Sequence, residues 1–166
     1  MIAVDTNVLI YACDQADPRR QKVALDLITD TQDGVLLWQV ACEFLSASRK
    51  LSRHGFTPTD AWNRLSEFQD LLQLVLPTDA NLVRAKALHL ARGASLWDAL
   101  ILAACVEAGV ETFYSEDLPG FDDFEGLQIV NPFKYRGPRR GTQGQGAVGP
   151  LCARALVPGS PPAYGG

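Results

Sequence analysis

Five short, mainly apolar runs punctuate the chain, at residues 1–4, 35–38, 74–76, 112–114 and 127–130, and helical periodicity fills the intervals between the first four. A run of three or four apolar residues suits a buried strand and is too short for a core helix. Strands joined through helices cannot fold back as hairpins. The helix carries the chain to the other end of the sheet, so consecutive strands lie parallel. The sequence therefore predicts an α/β fold with a mainly parallel sheet.

The helical stretches carry their own boundaries. One opens at Thr6, directly from the first strand. A second starts at Pro18, whose fixed φ suits a first turn, and sets Val23, Ala24, Leu27 and Ile28 on one face. Asp33-Gly34 reads as the turn into the second strand. Val40, Phe44, Ala47 and Leu51 form the stripe of a helix over 39–51. Thr57 and Pro58 open a fourth helix, with Trp62, Leu65, Phe68 and Leu72 along it. Thr78 or Asp79 caps a fifth, which Gly93 stops after Arg92. Residues 96–106 are apolar almost all round, which places that helix at the centre of the packing.

With 166 residues and 47% hydrophobic content, the chain can bury one substantial core. That core is assigned to residues 1–134, and residues 135–166 read as a Gly/Pro-rich tail. From 137 onward the chain holds eight of the 14 glycines and five of the 10 prolines without apolar periodicity, the composition of a disordered segment. The net charge of −4 argues against a protein that coats nucleic acid by bulk electrostatics. Because the tail carries Arg139, Arg140 and Arg154 and no acid, the folded part is more acidic still. No apolar run approaches the roughly 20 residues of a membrane span. Met1 leads into strand-like sequence rather than a signal core, so the expected location is cytoplasmic. Cys13, Cys42, Cys105 and Cys152 lack metal-site spacing and read as reduced, buried thiols. His54 and His89 read as helix-surface residues, which leaves little support for a zinc set or a histidine base.

Against this background four acids stand out: Asp5 after the first strand, Glu43 on the third helix, Asp98 in Ser95-Leu96-Trp97-Asp98, and Asp117 in the turn after Thr112-Phe113-Tyr114. Each has an ordinary explanation. Asp5 can cap the helix that follows, Asp98 can complete a Ser-x-x-Asp box, Glu43 can be a solvated neighbour of an apolar stripe, and Asp117 can be turn chemistry. Glu116 competes with Asp117 for the same role. Jointly these explanations are weak, because in a parallel sheet carboxylates that follow buried strands arrive at one edge. There like charges crowd unless a hard cation neutralises them.

The segment Ile2-Ala3-Val4-Asp5-Thr6-Asn7-Val8-Leu9-Ile10-Tyr11 resembles the opening of PIN-domain ribonucleases, especially the VapC-type toxins of bacterial toxin–antitoxin pairs. Ser95-Leu96-Trp97-Asp98-Ala99-Leu100-Ile101 is similar to their central helix start, and Phe113-Tyr114-Ser115-Glu116-Asp117-Leu118 to their late strand and turn. Glu43 falls at the remaining acidic position. The resemblance implies a three-layer α/β/α sandwich around a central, mainly parallel five-stranded sheet, and a Mg2+- or Mn2+-dependent endoribonuclease acting on single-stranded or loop RNA. Asp5, Asp98 and Asp117 would be ligands, Glu43 a ligand or water-orienting base, and Thr6, Asn7 and Ser115 supporting contacts. It also implies a cognate antitoxin and a homodimer.

A strand followed by Asp also opens haloacid-dehalogenase-like phosphatases, but those carry Asp-x-Asp where this chain has Asn7. A non-catalytic interaction module on the same scaffold is the other alternative, with no electrostatic reason to keep four acids. RNA must approach an acidic body, so Arg49, Lys50 and Arg53 beside the Glu43 helix, and Arg92 before the Asp98 helix, are the candidate phosphate contacts.

Overall fold

The computed structural model describes residues 1–118 and 123–134; the predicted tail, with Cys152, lies outside them. In chain order the elements are β1 (Ile2–Val4), α1 (Thr6–Cys13), α2 (Pro18–Asp30), β2 (Gly34–Leu37), α3 (Trp38–Ala47), a 3-10 helix (Ser48–His54), α4 (Pro58–Leu71), β3 (Gln73–Val75), α5 (Asp79–Arg92), α6 (Leu96–Glu107), β4 (Thr112–Tyr114), β5 (Asp123–Phe124) and β6 (Leu127–Val130). The strands form one sheet in the order β3-β2-β1-β4-β6-β5. Five of them are parallel: helical connections impose this on β1 to β4, while β6 lies parallel to β4 after the antiparallel edge strand β5.

β1 is central because nothing in it tolerates water: Ala3 and Val4 are buried, with Ala3 opposite Val35 on one side and Phe113 on the other. α1 packs on α2 and α3, and α3 on α4, while α5 and α6 pair with each other. These two helical groups are the outer layers of the sandwich. The first is pinned by Phe44 of α3 meeting Phe68 of α4 edge-on, ring centres 5.5 Å apart. Among the described residues no helix is long and apolar enough to cross a membrane.

Four boundaries differ from the sequence reading. Trp38, expected to end a strand, begins α3, and the helix expected over 39–51 changes at Ala47 into the 3-10 helix that closes at left-handed Gly55. Side chains compete with the α pattern there: Ser48 Oγ donates to the Leu45 carbonyl and Arg49 Nε to that of Ser46. The third strand is displaced by one residue, to Gln73–Val75. β5 was not foreseen, because two residues are too few to show alternation. It returns to β6 through Glu125 and Gly126, both at positive φ, the backbone a two-residue hairpin loop demands.

Gly34 also has a different reason to be glycine. It is the first residue of β2, opposite Ile2, and a Cβ there would stand 2.3 Å from Leu72 Cδ2.

The strand order places the site. From β1 the chain moves outward through β2 to β3, then returns to lay β4 and β6 on the other side of β1. The crevice outside the carboxyl ends of β1 and β4 is where the order reverses, the usual ligand position of an open parallel sheet.

Candidate active site

Asp5 leaves the carboxyl end of β1, and its backbone N–H donates to Tyr114 O at 2.9 Å, joining that end to β4. It is the N-cap of α1, its Oδ1 accepting from Thr6 N–H at 2.6 Å. Capping is therefore real but does not exhaust the residue. Its Oδ2 also accepts from Asn7 Nδ2 at 2.9 Å and from Ser115 Oγ at 2.6 Å. A residue 8% exposed and surrounded by donors is more than a surface cap.

Ser115 and Asp117 come from the turn after β4. Ser115 Oγ donates to Asp5 and accepts from Asp117 N–H at 3.1 Å, so one buried hydroxyl sets both groups. Asp117 is exposed, its Oδ2 at 3.4 Å from Asn7 Nδ2, which places Asn7 between the two carboxylates. Glu116 is held elsewhere, by the Tyr11 hydroxyl at 2.8 Å and Arg20 at 3.2 Å.

Glu43 on α3 accepts from Thr6 Oγ1 at 3.1 Å and from Gln39 Nε2 at 2.8 Å. The same Gln39 amide reaches the Trp97 carbonyl at 3.3 Å, tying α3 to the first turn of α6, where Asp98 stands. Ser95 Oγ accepts from Asp98 N–H at 3.1 Å. The return half of that box, from the Asp98 carboxylate to the Ser95 backbone, is not made, whereas Thr57 and Asp60 at the start of α4 make both halves. The half-buried Asp98 carboxylate accepts no hydrogen bond among the described residues.

Burial holds the Asp5 carboxyl above its ordinary value, and the charges of Glu43 and Asp117 push the same way; the bonds from Ser115 and Thr6 oppose them. Such a group is short of positive charge. Hard oxygen donors at this density suit a divalent cation, and Asn7 Oδ1, buried without a hydrogen-bond partner, is a further oxygen available to one. The carboxylates nevertheless stand apart: among the described residues no three acid, histidine or cysteine side chains form a ready cage.

Two grooves border this centre. One of about 840 Å³ is lined by Thr6, Glu43, Arg49, Lys50 and Arg53, so three of the four candidate phosphate contacts share a wall with an acid. The fourth lies apart: Arg92 sits over the Phe124 ring at 5.1 Å and lines a separate depression with Arg84. The other groove, about 420 Å³ and mainly apolar, is bounded by Trp38, Leu76, Pro77 and Trp97. Cys42 opens onto it and is exposed, contrary to the expectation of a buried thiol. Cys13 and Cys105 are buried, and burial pushes the Cys13 thiol up to about 12.

The sequence profile of the PIN domain matches residues 2–126, three quarters of the chain. The chain belongs to the PIN domain family. Two solved structures share its fold. One is a toxin–antitoxin complex from Klebsiella pneumoniae, 18% identical, with a TM-score of 0.59 over 81% of this chain and 100% of that one. The other is VapBC2 from Rickettsia felis bound to a DNA fragment from their promoter, 17% identical, with a TM-score of 0.59 over 79% of this chain and 98% of that one. No curated protein matches significantly.

Within this PIN domain, three contributors went unnoticed in the sequence. Gln39 stands four residues before Glu43 on one helix, a spacing at which side chains meet, so it was discoverable. Tyr11 and Arg20 meet Glu116 across 105 and 96 residues, for which a single sequence offers no signal.

Proposed function

We propose that this PIN domain is a divalent-metal-dependent endoribonuclease and the toxin of a toxin–antitoxin pair. The observation that carries the nuclease reading is the buried Asp5 carboxylate at the sheet's switch point, sharing Asn7 with Asp117 while Thr6, beside it, engages Glu43. Asp5 and Asp117 would hold the ion, with Asp98 as a further ligand whose carboxylate accepts no hydrogen bond among the described residues. Mg2+ or Mn2+ bound there supplies an activated water and neutralises charge on the phosphate.

The rest is done by the chain's own groups. Ser115 and Thr6 fix the Asp5 carboxylate, and Gln39 and Thr6 hold Glu43, which orients the attacking water. Arg49, Lys50 and Arg53 line the groove beside Glu43, where a polynucleotide backbone would meet cations on an otherwise acidic body. Hydrolysis by water would leave a 3′-hydroxyl and a 5′-phosphate. Single-stranded or loop RNA is the proposed substrate.

The partner reading draws support from the two structural neighbours, both complexes of toxin–antitoxin pairs. A cognate antitoxin would lay an amphipathic segment along α2, α3 and the 3-10 helix, where apolar and basic residues coexist. A second copy of this chain would cover the apolar groove at Trp38, Leu76 and Trp97.

The test is cleavage of a single-stranded RNA with Mg2+ by the wild type and by Asp5→Asn and Asp98→Asn. Both variants are expected to remain folded and to lose cleavage. A variant that cleaves at the wild-type rate removes that residue from the site. Growth arrest on expression, relieved by the antitoxin, tests the toxin role.

A further inference from the structure

The turn that carries Asp117 is held from behind by a group the acidic site does not include. Ser115, Glu116 and Asp117 alternate in direction: the first and third bond to Asp5 and approach Asn7, and the middle one points away. There Glu116 Oε2 accepts the Tyr11 hydroxyl at 2.8 Å, and its Oε1 pairs with Arg20 Nη2 at 3.2 Å. The Arg20 guanidinium also donates to the Tyr11 hydroxyl and lies over the Tyr11 ring, 4.7 Å from its centre. Phe133 completes the cluster, 4.8 Å from the Tyr11 ring in edge contact and 5.8 Å from the guanidinium. Asp17, the N-cap of α2, pairs with Arg20 Nε at 3.5 Å from the other side.

We propose that Arg20 and Tyr11 are positioning residues that act through Glu116 to aim Ser115 and Asp117 at the cation site. Glu116 is joined by a single planar peptide link to Ser115 and to Asp117, so anchoring its side chain restricts the backbone torsions that aim both neighbours. Four separate pieces of chain meet in this cluster: α1 and α2 reach Glu116 in the turn after β4, and Phe133 from the segment after β6 packs on Tyr11 and Arg20. Arg20 is the natural hub, because its planar fork bonds the carboxylate while its face stacks on aromatic rings; lysine can supply only the charge. The cluster also explains why two adjacent acids have unlike roles: Glu116 is consumed by an ion pair, and Asp117 stays free to meet a ligand.

This inference rests on the proposed metal-dependent nuclease, and its test separates the two. Arg20→Met, Tyr11→Phe and Arg20→Lys are compared with the wild type in the full chain by three readouts. These are hydrogen exchange of the Ser115–Asp117 amides without divalent ions, Mn2+ affinity by calorimetry, and kcat against KM on RNA. Arg20→Met is expected to speed exchange at Asp117 while the β1 and β4 amides keep their protection. It should also weaken Mn2+ by about 10–100-fold, the usual consequence of losing the support of a ligand, and lower kcat more than it raises KM. Arg20→Lys should restore part of each effect, and Tyr11→Phe should fall between.

Unchanged exchange at Asp117 with wild-type Mn2+ affinity overturns the proposal, as does a uniform loss of protection across the sheet, which marks a merely structural role. Should the wild type bind no Mn2+ in a manner that Asp5→Asn removes, the nuclease reading fails, and the exchange data alone decide whether Arg20 and Tyr11 hold the turn.

Discussion

Asp5 is costly at neutral pH, and the cost has a sign that can be measured. Its carboxyl is held above the ordinary value of 3.8, chiefly by burial, so the folded chain binds this proton more tightly than the unfolded one. Stability from this group is therefore lost as pH rises from the unfolded value through the raised folded value, and the loss is complete above it. Asp5→Asn removes the titration and keeps an acceptor for Thr6 N–H. Without divalent ions, the melting temperature of the variant minus that of the wild type should increase between about pH 4 and about pH 7. A difference that is flat with pH would mean the Asp5 charge is already compensated. At this scale the sequence was informative where position alone decides: an acid directly after a buried strand must stand at the sheet's carboxyl edge. It could not separate Glu116 from Asp117, because their difference lies in which way each side chain faces and in Arg20, 96 residues away. Nor could it show that Ser95 and Asp98 would make only one half of a capping box, which depends on the carboxylate's surroundings and not on its spacing.

Elements were legible to the extent that their physics is local. Apolar runs between helical stripes predict four parallel strands, since no other arrangement buries such runs and connects them through helices; the fifth run follows without a helix, and its direction is set by pairing with β4 and β5. What was lost lay at the seams. The change from α3 to the 3-10 helix depends on Ser48 and Arg49 bonding to nearby carbonyls, and β5 exists only because β6 is there to pair with. Gly34 is the instructive case, since Asp33-Gly34 has the composition of a turn, yet its glycine is required by Leu72 from another element. Gly34→Ala should force a methyl group against Leu72 Cδ2 and Thr31 Cγ2, and Leu72, fully buried, would have to shift within a packed layer. Overpacking of that kind costs about 1–3 kcal/mol. Denaturant unfolding is expected to show a lowered midpoint with an unchanged slope, and a variant as stable as the wild type would show that β2 and α4 can separate locally without penalty.

On the whole molecule, the question is what completes it. The apolar groove leaves Trp38 48% and Trp97 62% exposed beside Leu76, so three large apolar side chains meet water in one place. If a second copy covers it, light scattering should find a dimer, and Leu76→Glu should yield a folded monomer by setting an unpaired charge in the interface; a dimer that survives this change uses another face. The C-terminal residues pose the opposite case. The sheet, the four acids, the cationic groove and the Arg20 cluster are all built from residues before 135. Residues 137–166 add three arginines, glycine and proline, but no acid and no apolar period. The expectation from such a composition is that apolar burial falls short of an ordering entropy of about 1–2 kcal/mol per residue, and removing the segment tests it. Truncation after Tyr135 is therefore expected to leave thermal stability and metal-dependent cleavage at wild-type levels. Removing three positive charges should alter only the salt dependence of RNA binding, because long-range attraction by exposed arginines is screened within about 10 Å at 0.1 M salt. Loss of folding, or of cleavage at low salt, in the truncated chain would place the missing residues against the domain and move its boundary beyond 134.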